Sequence, residues 1–134
     1  MRVLDHERLD VYRVARELNR EVHRLTRKAR FKAERRDVIR QVYRSSASIP
    51  LNLSEGCGET SEGRKAYFYR IARGSATELA ASLDYMVDVS MLEESDIVTA
   101  KALIVRIVSM LHNLTKSINS PDSYPPLPRR RTRH

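Results

Sequence analysis

Apolar residues recur at intervals of three, four and seven positions in four successive stretches of this chain, and this periodicity most constrains the fold. Such spacing places the apolar side chains on one side of an α-helix. The first predicted helix covers roughly residues 5–29, and its apolar side is formed by Leu4, Val11, Ala15, Leu18, Val22 and Leu25. The fourth, which begins after Ser95, has the most regular pattern, formed by Ile97, Leu103, Ile104, Ile107, Val108, Leu111, Leu114 and Ile118.

The two middle helices are predicted from similar but less regular patterns. The second begins near residue 34, is expected to bend rather than stop at Pro50, and is expected to end with Gly56 as its C-cap. Its predicted apolar side comprises Val38, Ile39, Val42, Tyr43, Ala47, Leu51 and Leu53. Thr60 or Ser61 is expected to cap the third, which runs to about Val89. Its predicted inner side comprises Tyr67, Phe68, Ile71, Ala72, Ser75, Ala76, Leu79, Leu83 and Met86.

Four helices joined by short connections predict an all-α protein, an antiparallel up-down-up-down four-helix bundle over residues 1–119. The core must be aliphatic with a few tyrosines, because the chain has no Trp and two Phe. Residues 120–134 contain four of the five prolines and four arginines. A segment of this composition buries little apolar surface, so a disordered basic tail is expected there.

The charge balance favours an acidic partner. The chain of 134 residues has 25 Lys and Arg against 17 Asp and Glu, a formal net charge of +8. Nucleic acid is the commonest partner of such a protein, although a basic surface without any ligand gives the same balance. The single Cys57 excludes an internal disulfide and favours the cytoplasm. No apolar run approaches the length of a membrane span, so no membrane association is expected.

Five arginines of the first predicted helix form the sharpest candidate site. At 100° per residue they fall within an arc of about 80°, nearly opposite the apolar side. The planar guanidinium group binds phosphate oxygens in pairs, which suits nucleic-acid recognition. The alternative is a solvated face with local ion pairs to Glu17 and Glu21. The predicted nucleic-acid-binding residues are these five and three from the tail: Arg13, Arg16, Arg20, Arg24, Arg27, Arg129, Arg130 and Arg131.

Patterns typical of enzymes are mostly missing from the sequence. A di-metal bundle needs Glu-x-x-His on two helices, and the nearest approach, Glu21-Val22-His23, has the wrong spacing. No Gly-rich phosphate loop, His-Glu-x-x-His pattern or cysteine pair occurs, and no metal or cofactor is expected. One pair, Arg106 and His112, is similar to the Arg-x(4–6)-His element of the HEPN ribonucleases, although Ile107 replaces their usual polar residue.

Two blocks in the middle of the chain carry a family resemblance. Ser48-Ile49-Pro50-Leu51-Asn52-Leu53-Ser54-Glu55-Gly56 is followed by Tyr67-Phe68-Tyr69-Arg70-Ile71-Ala72-Arg73-Gly74-Ser75 and then by Glu78-Leu79. Over roughly residues 5–118 the chain resembles the four-helix-bundle family named after proteins encoded in intervening sequences of bacterial 23S ribosomal RNA genes. The resemblance implies an antiparallel bundle that assembles as a ring-shaped homopentamer.

A related branch of that family comprises accessory proteins of diversity-generating retroelements, which are basic, bind nucleic acid and associate with a reverse transcriptase. The resemblance supplies no catalytic residues. We interpret the matched positions as determinants of structure or assembly, because a buried Asn or Glu would tie loop amides together and small residues would permit tight helix packing. These positions are Pro50, Asn52, Glu55, Gly56, Gly74 and Ser75.

The sequence therefore predicts a non-catalytic, basic helical scaffold that binds RNA or DNA with low sequence specificity. A first alternative is a protein-interaction scaffold whose arginines meet an acidic protein such as a reverse transcriptase. A second is a helical-bundle ribonuclease that uses Arg106 and His112.

Overall fold

Helices account for nearly all of the described chain, which comprises residues 4–29 and 35–118 of a computed structural model. The α-helices among these residues are α1 (Asp10–Lys28), α2 (Arg36–Gly58), α3 (Glu62–Asp88) and α4 (Val98–Lys116). Single 3-10 turns, Asp5–Arg8 and Glu94–Ile97, precede α1 and α4. The described ranges contain no β-strand, so the prediction of an all-α protein with four long helices is confirmed. The predicted tail, with Arg129, Arg130 and Arg131, lies outside them.

The four helices surround one apolar core. Helices α1 and α3 each contact both α2 and α4, and the α2–α3 pair makes the most extensive contact. Every helix contributes fully buried aliphatic side chains to this core, and the largest are Leu18, Leu25, Ile49, Leu53, Leu79, Leu83, Met86, Ile107 and Leu111. No aromatic side chain belongs to this fully buried set, which agrees with the expected aliphatic core.

The buried sides of α1 and α4 largely follow the predicted periodicity. Val11, Ala15, Leu18, Val22 and Leu25 are buried on α1, whereas Leu4 is 65% exposed. The first helix was predicted too long at its start, because the backbone of Leu9 is extended and separates the 3-10 turn from α1. A carboxylate oxygen of Glu7 accepts a hydrogen bond from the Leu4 backbone N–H at 2.7 Å, which caps that turn away from the core.

The predicted inner side of α2 was partly wrong. Tyr43, Ala47 and Leu51 are exposed. The buried side instead comprises Val42, Ser45, Ser46, Ile49, Leu53 and Gly56. On α2 no serine was assigned to the inner side, yet the hydroxyls of Ser45 and Ser46 both bond to their own helix. The Ser45 hydroxyl donates to the Gln41 and Val42 carbonyl oxygens at 2.8 and 3.2 Å, so burial leaves no unpaired group.

Gly56 lies inside α2 and is not its C-cap. The helix passes through Pro50, as predicted, and ends at Gly58, with Glu59 as the capping residue. Gly56 is buried where the ring of Tyr69 crosses α2, and a Cβ atom built on it would lie 2.7 Å from Cε1 of that ring. The physical role of this glycine is therefore close approach between α2 and α3.

Replacing Gly56 by alanine is expected to lower the free energy of unfolding by about 1–3 kcal/mol, because the added methyl group overpacks the Tyr69 contact. Gly74→Ala is the matched control, since a Cβ atom there meets nothing within 4 Å. Alanine in the middle of α3 should stabilise the helix by about 0.5–1 kcal/mol. Chemical denaturation measures both changes, and equal effects of the two substitutions would contradict the Gly56–Tyr69 contact.

The aromatic residue that α3 buries is Tyr69, whereas the predicted Tyr67, Phe68 and the aliphatic Ile71 are half-buried. Tyr69 fits the space beside Gly56, and its hydroxyl lies 3.5 Å from Cys57 Sγ. Burial, and to a smaller extent this hydrogen bond, raises the pKa of Tyr69 above its ordinary value. The rest of the predicted inner side is buried, and Ser61 caps α3 by accepting a hydrogen bond from the Arg64 backbone N–H at 3.3 Å.

By length and composition, the segment Glu94–Lys116 is apolar enough to cross a membrane, with a mean hydropathy of 1.5 in its most apolar window. The expectation that no apolar run approaches membrane length was therefore too strong. One side of this segment supplies Ile104, Ile107 and Leu111 to the core. The core helix of a bundle meets the same criterion, so composition alone does not place α4 in a membrane.

Candidate nucleic-acid interface

The five predicted arginines of α1 lie together on the solvent side of that helix. Arg13, Arg16, Arg20, Arg24 and Arg27, hereafter the Arg stripe, are all exposed. The opposite side of α1 is buried against α2 and α4. The placement predicted from periodicity is therefore confirmed for these five residues. It sets guanidinium groups along almost the whole length of α1.

Two members of the Arg stripe form local ion pairs. Arg13 lies 3.6 Å from Asp10, and Arg24 Nη2 lies 2.5 Å from Glu21 Oε1. The hydrogen bond from Arg24 to Glu21, with the negative charge of that carboxylate, raises the pKa of Arg24 above its ordinary value. Glu21 therefore forms the local ion pair expected of it, whereas Glu17 has no ion-pair partner in the described chain.

The other three residues of the Arg stripe form no such ion pair with a carboxylate. The side chains of Arg16, Arg20 and Arg27 make no ion pair or hydrogen bond with any residue in the described ranges. Like charges one helical turn apart repel by a few tenths of a kcal/mol per pair. These three guanidinium groups are therefore free to bind an anion without first breaking an ion pair.

A second row of arginines on α2 was missed in the sequence. Arg36, Arg40 and Arg44, hereafter the α2 row, follow steps of four and are exposed. Arg40 lies 3.9 Å from Asp37, while the other two have no partner among residues 4–29 and 35–118. The signal was the same four-residue spacing as on α1. It was overlooked because the neighbouring Tyr43 and Ala47 were assigned to the buried side.

Three of the six matched positions, Asn52, Gly56 and Ser75, take part in the α2–α3 contact. The Asn52 side-chain amide donates to Ser48, at 2.8 Å to its carbonyl oxygen and 2.9 Å to its hydroxyl. Ser48 Oγ lies 2.7 Å from Ser75 Oγ, so this network connects α2 to α3. Glu55 is exposed and does not tie loop amides. Gly74 is also exposed, and a Cβ atom there would meet no described residue within 4 Å. The expectations that Glu55 ties loop amides and that Gly74 permits tight packing within the subunit were wrong, whereas a role of either residue in assembly stays a prediction.

Arg106 and His112 do not face a common space. They lie six positions apart on α4, which turns their side chains about 120° away from each other. His112 lies at one end of an α3–α4 groove that also contains Arg73 and an apolar floor of Ile104 and Val108, whereas Arg106 does not line this groove. No group of His, Cys, Asp or Glu suited to a metal ion occurs in the described part of the chain.

Comparison with known proteins identifies the family of this chain. A comparison with curated protein sequences finds no significant match. A family model described as 23S rRNA-intervening sequence protein matches residues 7–113, a span that includes α1, α2, α3 and most of α4. The match covers well over half of the chain, so the protein belongs to the 23S rRNA-intervening sequence protein family.

Proposed function

We propose that this protein is a non-catalytic, basic helical scaffold that binds nucleic acid with low sequence specificity. The observation that carries the proposal is a set of three exposed guanidinium groups on one side of α1, those of Arg16, Arg20 and Arg27, which have no partner among the described residues. A guanidinium group binds phosphate oxygens in a planar, paired geometry. Phosphate contacts position a protein on nucleic acid and carry no sequence information, which gives low specificity.

The helices are proposed to run antiparallel in chain order. Contacts between α2 and α3 support this, because Gln41 bonds to Glu78 while Ser48 bonds to Ser75, so partner numbers fall on one helix as they rise on the other. Thr26 near the end of α1 contacts Tyr43 in the first half of α2. Likewise, Asp84 near the end of α3 binds Lys101 at the start of α4.

Assembly as a ring-shaped homopentamer is part of the proposal. The small residues in the middle of α3 do not supply the contact between subunits, because Ala72, Ser75 and Ala76 are buried within the subunit. Better support comes from exposed apolar side chains on two helices that face different sides of the bundle. Val98 and Val105 of α4 are 62% and 67% exposed, and Leu51 of α2 is 63% exposed. Two different patches on one subunit favour head-to-tail contacts, which form a ring when the rotation between subunits closes.

Sedimentation is expected to give a mass about five times the 15.5 kDa of one chain. Val105→Glu should reduce this mass if the exposed α4 side makes the contact, because an uncompensated carboxylate would be buried there. Thr60→Glu, an exposed change between α2 and α3, is the control and should leave the mass unchanged. A parent protein of 15.5 kDa at micromolar concentration would rule out the ring.

Nucleic-acid binding is tested by titrating the intact protein with mixed-sequence RNA and duplex DNA at several salt concentrations. The proposal predicts similar affinities across sequences and a steep loss of affinity as salt rises, because binding releases counterions. A chain that ends at Ser120 separates the contribution of the predicted tail. If neither polymer binds at low salt, an acidic protein partner such as a reverse transcriptase becomes the better hypothesis. Metal-independent cleavage of the RNA would instead favour the ribonuclease alternative.

The cytoplasm remains the proposed location. The single cysteine of the chain supports it, since Cys57 has no second cysteine with which to form an internal disulfide, and disulfide-free proteins are typical of reducing compartments.

A further inference from the structure

Tyr43 lies at the junction of α1 and α2 and is exposed although it is held in place. Its side chain belongs to α2 and is 42% exposed, and its hydroxyl lies 2.6 Å from Thr26 Oγ1 on α1. The Thr26 hydroxyl donates its hydrogen to the His23 carbonyl oxygen at 2.9 Å. Tyr43 is therefore the donor in the bond between the two side chains, and this bond fixes the ring against α1.

Arginines flank both residues of this bond along their helices. On α1, Arg27 follows Thr26 directly and has no partner in the described residues. On α2, Arg40 precedes Tyr43 by one turn and Arg44 follows it directly. Tyr43 thus lies between the Arg stripe and the α2 row. The nearest acidic residue along α2, Asp37, is already paired with Arg40.

We infer that the ligand of this surface is a single-stranded nucleic acid, one base of which stacks on the ring of Tyr43. The flanking phosphates bind Arg27 on one side and Arg44 on the other. This inference rests on the proposed function and narrows its ligand class. An aromatic ring within a basic surface is the arrangement by which single strands are bound without sequence preference, because every base has a π-face and the phosphates are contacted separately.

Duplexes do not satisfy this arrangement. Their bases are already stacked on each other and paired, so a ring on a helix surface reaches only the phosphates and groove edges. The Arg stripe binds phosphates of either form, whereas Tyr43 adds affinity for a strand with free bases alone. The predicted signature is therefore a preference for single strands that depends on Tyr43 and not on the number of arginines.

Removal of the ring tests this directly. Tyr43→Leu is expected to weaken binding of mixed-sequence single-stranded RNA and DNA by about 5- to 150-fold, the range that stacking of one base supplies. Binding of a duplex of the same length should stay unchanged, as should the salt slope for all probes, since no charge is lost. Tyr43→Phe retains the ring and should retain most of the preference.

Tyr85 provides the matched control. It is 49% exposed on α3, but it lies beside Asp84 in sequence and shares a surface groove with Asp37. Both of these carboxylates are paired with a basic side chain, but Asp88, three residues after Tyr85, is exposed and has no ion-pair partner in the described residues. Its negative charge disfavours phosphates, so Tyr85→Leu should change binding of neither single strands nor duplexes.

A fluorescence measurement serves as the second test. It keeps an aromatic ring at position 43, so it does not require the protein to fold without one. The chain contains no tryptophan, so Tyr43→Trp introduces a single indole. Single-stranded RNA or DNA should quench its emission and retain affinity, while duplex should quench it little. In the Tyr85→Trp variant neither probe should quench.

The outcomes separate this inference from the function on which it rests. Base stacking on Tyr43 is wrong if Tyr43→Leu has the same effect on single strands and duplexes, whether a loss or none, and the indole emission of Tyr43→Trp does not respond to either probe. Phosphate binding by the Arg stripe would stand in that case. If the parent protein binds no probe at low salt, both the inference and the proposed function fail.

Discussion

Truncation of Leu111 to alanine is expected to lower the free energy of unfolding by about 2–5 kcal/mol. The side chain is fully buried on α4, next to the equally buried Ile107, one turn before it. Removing its branched end loses the transfer free energy of the deleted groups and leaves a cavity in a closely packed core. Ile107→Ala should have a similar effect for the same reason.

The matched control is Leu4→Ala, which deletes the same groups from a side chain that is 65% exposed. An exposed truncation of this kind changes stability by no more than about 0.5 kcal/mol. Chemical denaturation at a fixed protein concentration measures all three variants, because assembly makes stability depend on concentration. A loss below about 0.5 kcal/mol for Leu111→Ala would mean that α4 packs with another side toward the core.

The sequence predicted best the helices whose buried side is uniformly aliphatic. On α4 the recurrence of Ile104, Ile107 and Leu111 leaves one choice of inner side, and that choice is confirmed. On α2 the inner side includes Ser45 and Ser46, so apolar periodicity alone favoured Tyr43 and other residues that are exposed. Serines that bond to their own helix satisfy their hydroxyls locally, and hydropathy does not register this.

The contact between Gly56 and Tyr69 could not be predicted from local patterns. The two residues lie on different helices, and the role of each depends on the other. A glycine near the end of a predicted helix favours a C-cap when considered alone. The presence of a ring across the interface makes it a packing position instead, which requires knowledge of how α2 and α3 are aligned.

The candidate interface was predictable in part. The Arg stripe follows from spacing on one helix, as does its separation from the apolar side. Spacing does not reveal which arginines of the stripe lack an ion pair, since Arg24 is paired with Glu21 while Arg20 is unpaired within the described ranges. The position of Tyr43 beside α1 likewise depends on a contact between two helices that spacing along the chain does not reveal.

Loss of the three unpaired stripe arginines is expected to have the largest effect on binding. The variant Arg16→Gln, Arg20→Gln, Arg27→Gln removes guanidinium groups that have no partner in the described chain and keeps side chains of similar helix propensity. Contacts to charged groups contribute on the order of 1 kcal/mol each or more, so binding of nucleic acid at moderate salt should weaken on the order of a hundredfold. The loss should be uniform across sequences.

A second triple variant controls for net charge. Arg64→Gln, Arg106→Gln, Lys116→Gln removes the same number of positive charges from α3 and α4, where each of the three residues is exposed. If long-range attraction to the whole protein dominated binding, both triple variants would weaken it equally. Contacts made by the Arg stripe predict a small effect of this second variant and a large one of the first.

The most direct test of phosphate binding by the Arg stripe is the slope of log affinity against log salt for the parent and the two triple variants. Each phosphate contact contributes about 0.9 to this slope with duplex DNA and about 0.7 with a single strand. Loss of Arg16, Arg20 and Arg27 should therefore flatten the slope by about two to three units, while the α3–α4 variant keeps the parental slope. Equal slopes for the parent and the stripe variant would contradict binding by these residues and would make the Arg stripe a solvated face of the bundle.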